Sequence, residues 1–161
     1  MALAARLTAA APNRRIILTT GAAQAGRAEA VRRLAVERGV PGRSLAVACD
    51  LDLAELRTLV ARASLFIGGD SGPAHIASTT MTPMVVLFGP TTPEVWGPWR
   101  DPALPTELVD AGTLACRPCD QRVCEPGDFR CLRGIGPDAV VSAALRAIAR
   151  DRARLRNHRS V

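Results

Sequence analysis

One stretch of the chain, residues 65–75, constrains its fold more than any other. The stretch reads LFIGGDSGPAH, so a short apolar run passes directly into glycines and polar residues. Residues 65–67 are too few for a helix and are typical of a strand buried on both faces of a parallel sheet. Pro73 suits the first turn of a helix, and Ser71 suits its N-cap. This order of strand, glycine-rich loop and helix predicts a loop that binds an anion.

A second strand and loop follow shortly afterwards. Residues 84–88 read MVVLF, and the loop GPTTP follows at residues 89–93. Neighbouring parallel strands that both end in glycine-containing loops form a crevice at their carboxyl ends, where open α/β sheets bind ligands. The residues alone therefore predict a phosphate- or nucleotide-binding crevice between these two loops.

Strands and helices alternate through the rest of the chain. Apolar runs at residues 16–18 and 46–49 precede stretches with helical spacing, and Asp52 with Glu55 forms the pattern of a capping box. Such alternation implies right-handed βαβ crossovers. We therefore predict an α/β fold with a Rossmann-like parallel sheet and helices on both faces.

The amino-acid composition limits which classes of function the chain can have. The 161 residues are 48% hydrophobic without a long apolar segment, so we expect one domain over residues 1–150 and a cytoplasmic location. This domain includes a cysteine-rich loop at residues 116–131. The net charge of +6 comes largely from arginine, and aromatic residues make up only 3%, so we expect no nucleic-acid partner. The basic tail at residues 151–161 is either a solvated helix end or a surface attracted to an anionic membrane.

Two blocks, residues 70–75 and 82–91, closely resemble the nucleotide-sugar-binding half of the lipopolysaccharide heptosyltransferases, glycosyltransferase family nine. The resemblance extends more weakly from about residue 16 to residue 150. It implies the carboxyl-terminal half of a GT-B glycosyltransferase, which holds an ADP-heptose-like donor. The amino-terminal half would bind a lipid-linked saccharide of the lipopolysaccharide core and supply the usual base, so no catalytic residue is assigned here. The resemblance implies no required cofactor.

The resemblance also assigns roles to individual residues. The position that matches Asp70 hydrogen-bonds sugar hydroxyls, and Ser71 and Gly72 match the pair that contacts the diphosphate. Pro73 begins the following helix. His75 lies near the first turn of that helix, where its ring is expected to donate to a phosphate oxygen. A structural histidine is the alternative for His75, and a capping or turn acid is the alternative for Asp70.

Three further residues match the nucleoside part of the site. Leu51 matches an apolar position that packs on the adenine ring, with ordinary core packing as the alternative. Gly21 opens the loop after the first strand, and Gln24 is the only evident polar substitute there for an acid that contacts the ribose in relatives. Relatives also carry an earlier strand whose loop contributes threonines and a lysine to the diphosphate. Because this sequence does not contain that loop, we expect weaker nucleotide binding.

Residues 107–109 predict a short last strand, and four cysteines cluster in the loop after it, namely Cys116, Cys119, Cys124 and Cys131. Four thiols at this density are compatible with a structural zinc site, although their spacing is irregular. Unpaired structural or redox-sensitive thiols are the alternative. At the level of function, an enzyme is therefore weighed against a non-catalytic nucleotide-sugar-binding module or truncated fragment. A zinc-stabilised interaction domain is disfavoured because it leaves the loop at Asp70 unexplained.

Overall fold

The computed structural model describes residues 2–10, 12–119 and 123–158. The chain divides into two compact units, Met1–Glu55 and Leu56–Val161, and each unit contains its own parallel sheet. The sheets carry helices on both faces, so the predicted Rossmann-like α/β class is confirmed. Within the described residues, no helix is both long enough and apolar enough to cross a membrane.

Unit 1 is built on two parallel strands and two helices. Its elements are α1 (Ala2–Ala10), β1 (Ile16–Thr20), α2 (Ala25–Glu37) and β2 (Leu45–Cys49), with short 3-10 turns at Ala22–Gln24 and Gly42–Ser44. The strands pair from Ile16 with Leu45 to Thr20 with Cys49. A small core forms where Ala35, Val40 and Leu45 pack together.

Local sequence sets the end of α2. Gly39 has a φ of +90°, which glycine adopts without steric cost, and its N–H donates to the Val36 carbonyl at 2.9 Å. The N–H of Val40 donates to the Ala35 carbonyl at 3.1 Å. These two bonds form a Schellman motif, which brings Val40 against Ala35 in the core of the unit.

The predicted capping box is present at the start of α3 (Leu53–Ala61). The N–H of Glu55 donates to Oδ1 of Asp52 at 2.7 Å, and the N–H of Asp52 donates to Oε2 of Glu55 at 2.9 Å. Two backbone donors that the helix itself leaves unpaired are therefore satisfied reciprocally.

Unit 2 contains the three-stranded sheet. Its elements after α3 are β3 (Phe66–Gly69), α4 (Gly72–Ser78), β4 (Met84–Phe88), α5 (Pro93–Trp96), β5 (Thr106–Asp110), α6 (Arg130–Arg133) and α7 (Pro137–His158). The strand order is β3-β4-β5, and both pairings are parallel. β4 is central, and its residues Met84, Val85, Val86 and Phe88 are fully buried.

The expectation that β3 is buried on both faces is wrong, because β3 is an edge strand of this sheet and its residues are half-buried or exposed.

Helix α7 covers β4 and β5. It does so with small side chains, since Ala143, Ala144 and Ala147 are completely buried and allow a close approach to the sheet. The helix continues to His158, so most of the segment predicted as a basic tail from residue 151 is part of α7. Arginines of its second half are held by carboxylates, with Arg150 paired to Glu107 and Arg154 paired to Asp151, and these pairs favour continued helix.

Candidate functional site

The loop after β3 places Asp70 against the loop after β4. The Asp70 N–H donates to the Leu87 carbonyl at 3.0 Å, which extends the pairing of the two strands by one bond. The Asp70 side chain is only 12% exposed, and its Oδ2 accepts a hydrogen bond from the buried Thr91 hydroxyl at 2.6 Å. The predicted juxtaposition of the two loops is therefore present in unit 2.

The other oxygen of Asp70 faces His75. Nε2 of His75 lies 3.7 Å from Oδ1 of Asp70, and the His75 side chain is 49% exposed. This distance is too long for a hydrogen bond but short enough for attraction when the imidazole is protonated. Among the described residues no donor bonds to Oδ1, so this oxygen remains available as an acceptor for a ligand hydroxyl.

The start of α4 is open to solvent on the site side. Ser71 has extended backbone angles and is the N-cap, and proline follows in the first turn, as predicted. The Ser71 hydroxyl makes no capping bond and donates instead to the Gly69 carbonyl at 3.1 Å. A Cβ added at Gly72 would meet no atom within 4 Å. Packing within the protein therefore does not explain glycine at this position, and the space in front of it is free for a ligand.

A cavity of about 770 Å³ lies beside Asp70 and Thr91. One wall comes from the loops after β3 and β4, and the other comes from residues 115–119 and 123–132, which include all four clustered cysteines. Sequence reasoning treated the cysteine-rich loop as a separate feature and missed this wall. The signal was available, because this loop follows β5, and loops that leave neighbouring parallel strands meet at the same edge of the sheet.

The clustered cysteines are free thiols. Among the described residues, no group of three or more histidine, cysteine or acidic side chains is placed to hold a metal ion. The geometry therefore gives no support to the zinc alternative, which stays a prediction. Sγ of Cys124 instead accepts the backbone N–H of Phe129 at 3.3 Å.

An ion pair anchors the cysteine-rich loop to the end of β5. Nη2 of Arg117 donates to Oδ2 of Asp110 at 2.6 Å, and the Arg117 side chain is only 8% exposed. The hydrogen bond from Arg117 is the main cause that holds the pKa of Asp110 below its ordinary value, and the hydrogen bond from the Gly112 N–H adds to it. Nη1 of Arg117 is buried without a hydrogen-bond partner among the described residues.

The three residues predicted for the nucleoside lie in unit 1. Gly21 follows β1 and Leu51 follows β2, and the ends of these strands are tied by the bond from the Asp50 N–H to the Thr20 carbonyl at 3.1 Å. Gln24 is exposed, whereas Leu51 is half-buried. Unit 1 thus brings both predicted loops to the carboxyl edge of its own sheet, and their roles stay predictions.

Several known proteins are similar to parts of this chain. The profile of "Glycosyltransferase family 9 (heptosyltransferase)" matches residues 2–127. A lipooligosaccharide heptosyltransferase 2 from Campylobacter jejuni is 33% identical over 85 residues, which cover 53% of this chain. A lipopolysaccharide heptosyltransferase 3 from Escherichia coli is 48% identical over 56 residues, which cover 35% of it.

The fold has a counterpart among solved structures. A family 9 glycosyl transferase from Veillonella parvula superposes with a TM-score of 0.70 over 91% of this chain, at 21% identity. The chain spans 41% of that protein, 26% of the Campylobacter relative and 16% of the Escherichia coli relative. Because the family profile covers most of the sequence, this chain belongs to glycosyltransferase family 9, the heptosyltransferase family.

Proposed function

We propose that this chain forms the donor-binding part of a glycosyltransferase that transfers heptose or a similar sugar from an ADP-sugar to a lipopolysaccharide core acceptor. The observation that carries the proposal is the placement of Asp70. One oxygen of its carboxylate is fixed by Thr91, and the other is open beside the start of α4. The named relatives that share this part of the chain are heptosyltransferases.

The chemistry divides between the ends of the donor. Oδ1 of Asp70 accepts hydrogen bonds from sugar hydroxyls, and a carboxylate does this with strong directional preference. The exposed N–H of Gly72 and the Ser71 hydroxyl donate to the diphosphate, after the hydroxyl turns from the Gly69 carbonyl. His75 reaches the same anion from the first turn of α4. In unit 1, Leu51, Gly21 and Gln24 are proposed to contact the adenine and the ribose.

Transfer requires a partner for the donor. An acceptor hydroxyl attacks the anomeric carbon, the bond from that carbon to the diphosphate oxygen breaks, and ADP leaves with the bonding electrons. Hydrogen-bond donors that stabilise the negative charge on the departing diphosphate lower the activation barrier for transfer. The proton of the attacking hydroxyl goes to a base that we place in the part of the longer relatives that this chain does not match.

Peripheral contact with the cytoplasmic face of the inner membrane belongs to the same proposal, since the acceptor is lipid-linked. Trp99 supports it, because its side chain is 97% exposed. Its neighbours Pro98 and Arg100 line a groove together with Arg150 of α7. Tryptophan favours membrane interfaces, and arginines are attracted to anionic headgroups.

A transfer assay tests the activity. We expect the chain alone to transfer no heptose from ADP-heptose to truncated lipopolysaccharide, and a fusion with the amino-terminal half of a relative to do so. Asp70→Asn in the fusion should lower kcat/KM by about tenfold or more, because it removes a hydrogen bond to a charged acceptor. Asp101→Asn, a change in an exposed loop of the same unit, is the matched control. A fusion that binds the donor but transfers nothing would favour the alternative, a non-catalytic nucleotide-sugar-binding module.

A further inference from the structure

The cysteine-rich segment, defined as residues 115–119 and 123–132, forms one wall of the cavity beside Asp70. We propose that this segment is the second wall of the donor-sugar pocket, and that Phe129 is the side chain that packs on the sugar ring. The identity of the ligand rests on the proposed function. The arrangement of the two walls does not.

The two walls differ in chemistry. The wall from the sheet is polar where Asp70 and Thr91 lie. The opposite wall presents several apolar side chains beside the charged Arg117, Glu125 and Arg130, namely Pro118, Val123, Phe129 and Leu132. A pyranose ring has hydroxyls at its rim and C–H groups on its faces. A carboxylate on one side and an aromatic face on the other match this distribution, because ring faces attract the positive edges of C–H bonds. The cavity volume of about 770 Å³ lies in the range of small-molecule sites.

The segment is docked on the sheet edge at the loop after β4. The N–H of Cys119 donates to the Pro90 carbonyl at 3.2 Å. Leu132 packs directly over Gly89, so a Cβ added at Gly89 would lie 2.4 Å from Cδ2 of Leu132 and 3.0 Å from its Cγ. The sheet edge therefore needs glycine at position 89 to accept α6 at this distance, and the position of the apolar wall is fixed relative to Asp70.

Phe129 is held in an unusual conformation. Its φ of 51° and ψ of 38° are left-handed, which residues other than glycine rarely adopt. The Cys124 thiol accepts its N–H, and its carbonyl accepts the N–H groups of Leu132 and Arg133, both at 2.9 Å. These contacts fix the backbone, yet the residue is 48% exposed while it lines the cavity. Strained residues that other groups hold in place are concentrated at ligand contacts, and a half-exposed ring at this point fits that role.

Fluorine NMR tests the proposal directly, because the chain contains only three phenylalanines. The whole chain is labelled with fluorophenylalanine, and Phe129→Leu assigns the resonance of Phe129. We expect ADP-heptose to shift this resonance and ADP alone to leave it in place. A Phe129 resonance that stays unmoved while ADP-heptose shifts the amides of residues 69–72 overturns the proposal and leaves the proposed function standing. If ADP-heptose shifts neither, the proposed function fails and this proposal fails with it.

Affinities give a second readout. Phe129→Ala should weaken binding of ADP-heptose about three- to tenfold and leave the affinity for ADP unchanged. Trp99→Ala should change neither affinity. Gly89→Ala should reproduce the selective loss by pushing Leu132 away, and adding Leu132→Ala should restore much of it by removing the clash. Equal losses for ADP and ADP-heptose would show that the segment only supports the fold, and would contradict the assignment of Phe129.

Discussion

At the scale of single residues, the site depends on how one carboxylate is shared. Thr91 binds Oδ2 of Asp70, and His75 lies near Oδ1, so the group is oriented before any ligand arrives. Such preorganisation lowers the entropic cost of binding, because the side chain has little freedom left to lose. The exposed Ser71 and Gly72 complete a polar surface around this single acceptor.

Removing the Thr91 hydroxyl should therefore affect both stability and binding. Thr91→Val keeps the shape of the side chain but leaves a largely buried carboxylate oxygen without its donor. We expect the free energy of unfolding to fall by about 1–3 kcal/mol, and the affinity for ADP-heptose to fall while the affinity for ADP changes less. Urea denaturation and calorimetric titration measure the two effects.

Thr92→Val is the matched control for this change. Thr92 is the neighbouring N-cap of α5, and its side chain makes no capping hydrogen bond. Its substitution should leave both quantities nearly unchanged. Equal effects at the two positions would mean that the Thr91 hydroxyl has no special role in orienting Asp70.

At the scale of elements, local signals were readable from the sequence, and contacts between distant segments were not. The capping box at Asp52 was predicted, because it depends only on residues within one turn of the helix start. Strand β4 was predicted with its bounds, because all five of its residues are apolar and four of them are buried. Helix α6 and the left-handed Phe129 were not predicted. The turn there depends on the hydrogen bond from the Phe129 N–H to Cys124 and on the packing of Leu132 against Gly89.

The candidate site shows the same division. The Asp70 loop and its approach to the loop after β4 were predicted, since strand ends and glycines mark both. The wall formed by the cysteine-rich segment was not, although its place after β5 indicated the correct sheet edge. The sequence also does not show that α7 includes the segment predicted as a basic tail, because Arg150 is held by Glu107, which lies 43 residues earlier in the chain.

The anchor of the cysteine-rich segment should be sensitive to pH. The pKa of Asp110 is lowered by Arg117, so the pair stabilises the fold above the ordinary carboxyl value near 3.8 and is lost as pH falls through the depressed value. At pH 7, Asp110→Asn should lower the free energy of unfolding by about 1–3 kcal/mol. The gap to the wild-type chain should close as pH falls below 3.8.

Chemical denaturation as a function of pH measures this gap. Glu94→Gln is a suitable control, since Glu94 is exposed and makes no ion pair within the part of the chain that the structure describes. A gap for Asp110→Asn that is constant with pH would show that the pair with Arg117 contributes nothing to stability.

At the scale of the whole molecule, the proposed donor site and the exposed tryptophan lie at opposite ends of β4. Asp70 and Thr91 lie beyond its carboxyl end, whereas Arg100, next to Trp99, donates to the carbonyls of Thr80 and Thr82 before its amino end. Burial is the leading cause that lowers the pKa of Arg100, with Arg154 of α7 adding repulsion. A surface that carries Trp99 and these arginines is therefore physically separate from donor binding.

This separation gives a prediction for membranes. The chain should bind vesicles that contain anionic phosphatidylglycerol, and binding should weaken with salt because it depends on arginine charge. Trp99→Ala should reduce vesicle binding several-fold and leave the affinity for ADP-heptose unchanged. Val95→Ala changes another highly exposed residue, which lies in α5 just before Trp99, and should have a smaller effect on sedimentation with vesicles. Binding to neutral vesicles that matches binding to anionic ones would contradict the role of charge.

An amide NMR titration shows whether the loop at Asp70 holds a nucleotide sugar. Adding ADP-heptose to the labelled chain should shift the backbone amides of residues 69–72 and 74, and Asp70→Asn should raise the concentration at which they shift. Shifts confined to the arginine-rich second half of α7, with the amides at 69–74 unmoved, would mean that the donor binds only through nonspecific charge and would contradict the account.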